Sequence, residues 1–224
     1  MQPLRSNMSF KINENDQKNL SNLAELVRRL NLTDHNPATS GNYSHRSDEF
    51  NDYAFVSESG IDKSQFSENN FIPIKISNKE THDFYKKRKS SDETDLHLAI
   101  FQSTSANCVL HSHMLDALHF ADLYPCLSLI PISGLELLKG FSGVATHDTT
   151  IQIPVFENTQ DISQLAEIIK PHLNQDPFCY GLILRGHGVY VWGKNVTEAK
   201  RHLEVFEYLF RYTIQKKNFN KSLG

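Results

Sequence analysis

Two short apolar runs, Gly181–Leu184 (GLIL) and residues 189–192 (VYVW), flank the glycine-bounded turn Arg185-Gly186-His187-Gly188. Apolar runs of this length between turn signals predict strands, and strands without a polar face need cover from other elements. The cover is present in the same chain. Apolar residues at helical spacing predict helices over residues 16–31, 113–123, 162–173 and 197–212, and residues 93–102 also read as a helix. Further strands are predicted at 53–57, 71–76, 107–110 and 150–156, with Pro73 marking an edge or a bulge. Residues 37–44 (PATSGNYS) read as a loop, and the basic run 82–91 as a mobile, solvated one. Helices and strands mix without steady βαβ alternation. The expected fold is therefore α/β, with a mixed or mainly antiparallel sheet between helical layers. At 224 residues, a flexible polar arm (1–14) and a single domain (15–224) account for the chain.

The formal net charge of −3 provides no basic field for nucleic acid or an anionic membrane. No apolar stretch is long enough to span a bilayer, and the first residues lack the core of a signal peptide. Cys108, Cys126 and Cys179 are odd in number and widely spaced, so a disulfide framework is not expected and a reducing, cytoplasmic setting is.

Of the eleven histidines, His111 and His113 form an HxH clip after the apolar run NCVL. In an extended strand, residues i and i+2 share a face, so both rings can grip one ion at about 2.0–2.1 Å. His187, between two glycines, has room to enter a cavity. Three imidazoles with a fourth position open match a catalytic zinc site, although imidazole also suits Fe²⁺, Mn²⁺, Co²⁺ and Ni²⁺. His97 and His119 are expected to be satisfied core or surface histidines, and His147 lies in a loop.

Two turns have the composition of anion-binding loops. Thr39-Ser40-Gly41-Asn42 combines hydroxyls, an amide and a flexible backbone, and Ser57-Glu58-Ser59-Gly60 is followed by Lys63 as a point charge. Neither has the P-loop pattern, which argues against a nucleotide triphosphatase.

The set PATSGN, VSESG, SSDET, HSH and RGHGVYVWG resembles the class II aldolase/adducin-head family over residues 16–215. The resemblance implies a three-layer αβα sandwich with a nine-stranded, mostly antiparallel sheet, a homotetramer, and one Zn²⁺ per subunit on His111, His113 and His187. It implies a small sugar phosphate as substrate, held by Ser40, Gly41, Asn42, Ser59, Gly60 and Lys63, with Ser91 adding a contact. The activity implied is that of a metal-dependent lyase removing water from a ketose phosphate. An aldolase or epimerase acting on another ketose phosphate, and a non-catalytic adducin-like scaffold, are the alternatives. The acid/base carboxylate is implied at Glu136, in GLELLKG, or at Glu93, in SSDE. A catalytic carboxylate works best with a pKa raised by burial, and the leucines around Glu136 are compatible with that. Tyr190 reads either as a donor to a substrate oxygen or as a packed strand aromatic. Trp192 reads as packing, and Arg185 as a partner for a carboxylate or the phosphate.

Overall fold

The computed structural model describes residues 12–173 and 179–222. Five helices are described: α1 (Glu14–Asn31), α2 (Thr94–Ser103), α3 (Leu115–Asp122), α4 (Ile162–Leu173) and α5 (Val196–Ser222). The strands are β1 (Asn42–Arg46), β2 (Tyr53–Ser57), β3 (Phe71–Lys75), β4 (Cys108–Ser112), β5 (Leu129–Ile132), β6 (Ile151–Phe156), β7 (Gly181–Leu184) and β8 (Gly188–Gly193). They form one sheet in the order β3-β2-β1-β4-β8-β7-β6-β5, in which only the β6–β7 pair is parallel. The sheet thus has eight strands among the described residues, where the family resemblance implied nine.

The apolar runs that opened the sequence reading are explained by the two cores. Along β8, Val189 and Val191 pack with α1, α3 and α5, whereas Tyr190 and Trp192 pack with α2 and α4. Side chains alternate along a strand, so cover on both faces demands apolar residues at every position. The result is an αβα sandwich with the β4–β8 pair near its centre.

Several local expectations need correction. The segment 37–44 is not all loop, because β1 begins at Asn42. Its sequence, NYSHR, is polar, yet four of its five residues are buried. β5 was not anticipated either, since LIPI is short and contains Pro131. It is an edge strand, where a residue without an N–H is tolerated. Pro73 likewise lies on an edge strand, β3. The basic segment 82–91 is held down. Arg88 grips Glu58 with two nitrogens, Ser91 N–H donates to Ser57 O, and Ser59 N–H donates to Lys89 O. Residues 1–11 of the expected arm lie outside the described residues. Asn13 caps α1 by accepting from Asp16 N–H at 2.7 Å, so the helix begins inside the range assigned to the arm.

Gly188 fixes how closely β8 approaches β4. A Cβ there would lie 2.3 Å from Ser112 O and 3.1 Å from His111 Cε1. Gly188→Ala must therefore push the two strands apart at the His111 ring. The expected cost is about 1–3 kcal/mol of stability, as for other overpacked sites. A lowered urea midpoint with an unchanged m-value checks it, and an unshifted midpoint contradicts it.

Candidate metal centre

The strand register builds the site. His111 on β4 is the Cα partner of Asn42 on β1 and of Tyr190 on β8, so three polar side chains form one row across the sheet. The row faces α2, and Tyr190 stacks on His111 with ring centroids 4.1 Å apart. His113 lies just past the end of β4, where its N–H donates to His35 O at 3.0 Å. His187 sits in the β7–β8 turn after Gly186, whose φ is +63°. The three imidazole centroids form a nearly equilateral triangle with sides of 4.8, 4.9 and 4.7 Å. Glu93, at the N-terminal end of α2, is the fourth member of the cluster, and one donor atom from each residue lies within 4.8 Å of the others.

The donors fit a cation. His111 Nδ1 donates to Val189 O at 3.1 Å, and His187 Nδ1 is 3.2 Å from Asn158 Oδ1. When both rings donate from Nδ1, as they do around a cation, each carries its lone pair on Nε2, and these two nitrogens are 3.3 Å apart. That separation is close to the roughly 3.3 Å between ligands around a tetrahedral ion with bonds of about 2.0–2.1 Å. Two lone pairs this close repel, so a cation belongs between them, and in its place His187 Nε2 carries a proton that it donates to Glu93 Oε1 at 2.9 Å. Outer hydrogen bonds from ligand imidazoles to a carbonyl and an amide are a usual accompaniment of a metal site.

The electrostatics agree. Burial pushes the His111 imidazole down to about 3, so this ring is neutral at neutral pH. His113 is lowered by burial and by the neighbouring His187. Burial works to raise the Glu93 carboxyl, but His111 and hydrogen bonds from His187, Asn42 and Tyr190 outweigh it and hold the group well below the usual carboxylate range. An anion beside three imidazoles is a suitable cage for a divalent cation. The cluster opens on a cleft of about 1000 Å³, whose lining includes Glu93, His113, Asn158, Asp161 and His187.

The phosphate-type loops converge on the same end of the sheet. The Lys63 ammonium is buried and, among the described residues, donates to the carbonyls of Thr39 (3.2 Å) and Ile61 (3.3 Å), above the Phe66 ring. Burial lowers its pKa. Ala38 and Thr39 have φ of +52° and +66°, and Gly41 follows at +78°. Gly41 is required there, because a Cβ would lie 2.5 Å from Asn36 Oδ1. Ser40 Oγ and Asn36 Nδ2 are buried without a hydrogen-bond partner among the described residues, beside this left-handed turn. Ser59 is joined to Lys89 and stands next to Gly60, which has a φ of +75°. Ser91 Oγ accepts from Glu93 N–H at 3.2 Å.

Other predicted residues stand differently. The Asn42 amide is spent inside the protein, with Nδ2 donating to Glu93 Oε2 at 2.8 Å and Oδ1 facing His97 Nε2. Tyr190 is fully buried, and its hydroxyl donates to Glu93 Oε2. Glu136 is outside the cluster. It lies on an exposed turn with its side chain 71% accessible, paired with Lys139 and 3.5 Å from His147. The burial expected from its leucine neighbours is absent, and the Lys139 hydrogen bond lowers its carboxyl. Arg185 pairs with Glu157 at 3.1 Å and donates to the carbonyls of Ala121, Tyr124 and Leu127. It therefore ties the His187 turn to the end of α3. The supporting roles of Asn158 and His97 carried no sequence signal, because each depends on which atom of a distant side chain it meets.

The class II aldolase and adducin N-terminal domain family matches residues 21–214. A methylthioribulose-1-phosphate dehydratase of Enterobacter sp. (strain 638) is 38% identical over 207 residues, covering 92% of this chain and 98% of the relative. Among solved structures, YgbL of Escherichia coli, titled a putative aldolase/epimerase/decarboxylase, superposes with a TM-score of 0.73 at 14% identity, covering 89% of each chain. An L-fuculose 1-phosphate aldolase superposes with a TM-score of 0.72 at 22% identity, covering 90% of this chain and 87% of the other. These two likenesses concern the fold.

Burial also pushes His97 down to about 4. Folded values below the ordinary 6.5 for His97 and His111 mean that the unfolded chain binds more protons between those values and 6.5. The stability of the metal-free protein is therefore highest above pH 6.5 and falls as the pH drops towards 4, by up to about 1.4 kcal/mol per unit for each histidine. Urea unfolding at pH 7 and pH 5 checks this, and equal stability at the two values contradicts it.

Proposed function

Because this chain belongs to the class II aldolase and adducin N-terminal domain family, we propose that it is a zinc-dependent hydro-lyase. It removes water from 5-methylthioribulose 1-phosphate, giving 2,3-diketo-5-methylthiopentyl 1-phosphate in methionine salvage. The reading is carried by the two close Nε2 nitrogens of His111 and His187 within the triangle closed by His113. An adducin-like scaffold has no use for such a constellation.

His111, His113 and His187 hold the zinc, one per subunit. When bound, the ion supplies Lewis-acid stabilisation of the negative charge that develops on the substrate's ketone oxygen. Ser40, Gly41, Ser59, Gly60 and Lys63 anchor the phosphate. The unpartnered Ser40 hydroxyl and a Lys63 ammonium facing carbonyls support this, since both groups gain from an anion. Asn42 and Ser91 frame the loop, their side chains being directed to Glu93 and to the start of α2. The reaction needs a base for the C3 proton and an acid for the departing C4 hydroxyl. Glu136 fills both roles, and Tyr190 acts by holding Glu93. These roles require a neighbouring copy to bring its histidines to Glu136, and exposed Leu127, Leu129 and Leu137, near it in the sequence, are apolar side chains that a homotetramer would cover. The free cysteines suit the cytoplasm.

A second reading is favoured by Glu93, which touches His187 at 2.9 Å and His111 at 3.2 Å. An aldolase or epimerase acting on another ketose phosphate would use Glu93 as its base. Zinc-loaded protein is expected to convert the substrate to the diketone, and Glu136→Gln to lower kcat by at least 100-fold. Unimpaired turnover in Glu136→Gln, with loss in Glu93→Gln, would favour the second base. No turnover by the zinc-loaded wild type would sink the dehydratase. If subunits share the site, mixing inactive Glu136→Gln with inactive His111→Ala restores part of the activity, and an inactive mixture places Glu136 within its own subunit.

A further inference from the structure

Behind the metal centre a polar chain runs from Glu93 through Asn42 to His97 and Ser44, and the last two have no part in the proposed roles. Glu93 and His97 are four residues apart on and just before α2, so their side chains share one face. Asn42 of β1 fits between them. Its Nδ2 donates to Glu93 Oε2 at 2.8 Å, and its Oδ1 faces His97 Nε2. His97 Nδ1 is 2.7 Å from Ser44 Oγ. His97 and Ser44 are fully buried, and Asn42 is 8% exposed, so water does not substitute for a missing partner.

Every orientation in this chain follows from its charged end. A carboxylate only accepts, so the NH₂ of Asn42 must face Glu93 and its oxygen must face His97. His97 must then carry its proton on Nε2, which leaves Nδ1 as an acceptor, and the Ser44 hydroxyl must donate to it. The sequence expectation for Asn42 was contact with the phosphate, and that for His97 was a satisfied histidine. The structure joins the two in one hydrogen-bonded line.

We propose that His97 is a positioning residue that locks the amide of Asn42 with its NH₂ towards Glu93, and so holds that carboxylate against His111 and His187. Without the His97 N–H, the buried Asn42 Oδ1 has no donor, and the amide turns towards another one and takes its Nδ2 away from Glu93. Glu93 then loses a donor, and its hold between the imidazoles weakens. The proposal rests on the reading of this cluster as a metal centre for its effect on metal affinity, but its effect on Glu93 does not require a metal.

The test uses His97→Leu, which removes the donor, and His97→Gln, whose amide can still donate to Asn42. In crystals of the metal-free protein, Asn42 Nδ2 is expected to leave hydrogen-bond distance of Glu93 in His97→Leu and to keep it in His97→Gln. In competition with a chelator, zinc affinity is expected to fall about 10- to 100-fold in His97→Leu and to recover in His97→Gln. A merely structural histidine would lower the melting temperature without this rescue pattern. An unmoved Asn42–Glu93 contact in folded His97→Leu overturns the proposal. Failure of wild-type protein to bind zinc instead overturns the metal-centre reading and leaves that contact decisive for His97. If His97→Leu does not fold, Ser44→Ala removes only the hydroxyl that fixes Nδ1. It is then expected to show a second His97 imidazole tautomer in ¹⁵N spectra, and an unchanged single tautomer overturns the proposal.

Discussion

The pairing of β4 with β8 is the constraint on which the rest of the site depends. It sets Tyr190 opposite His111 and lets Val189 O fix the tautomer of that ring. It also requires a residue without a side chain at Gly188, because the strands approach too closely there for a Cβ. The turn that delivers His187 joins β7 to β8 and leads straight into this pairing. A single register therefore places two of the three imidazoles, and β1 on the other side of β4 adds Asn42 to the row.

Around this row the protein keeps a negative charge in an expensive place. Glu93 is largely buried, and its desolvation is offset by donors from three separate elements: Asn42 on β1, Tyr190 on β8 and His187 in the turn. Buried charges are tolerated when they are paired and fully hydrogen-bonded, and their removal then leaves several polar groups unmatched at once. The neutral, buried His111 and His97 are the counterpart of that anion. The arrangement is costly for stability alone and makes sense for a site that binds a cation.

Much of this was legible in the sequence, and the parts that were not have physical reasons. The GLIL and VYVW strands were readable because cover on both faces forces apolar residues at every position. The HxH clip and the glycine-flanked His187 were readable because ligand spacing is local. β1 was hidden, since side chains of NYSHR are satisfied by partners far along the chain, such as His97 for Ser44 and Glu93 for Asn42. The place of Glu93 among the histidines was readable only as an alternative, because it depends on where α2 starts relative to β4. The burial inferred for Glu136 from flanking leucines failed for a similar reason. Leu138 enters the core, but the short turn directs Glu136 outward beside Lys139 and leaves Leu137 39% exposed.

The central claim is that His111, His113 and His187 hold one catalytic zinc ion. Anomalous diffraction from crystals of the zinc-loaded protein, recorded on both sides of the zinc absorption edge, tests it directly. One peak per chain is predicted, about 2.0–2.1 Å from a nitrogen of each of the three imidazoles. The absence of a peak there, or a peak held by other residues, would contradict it.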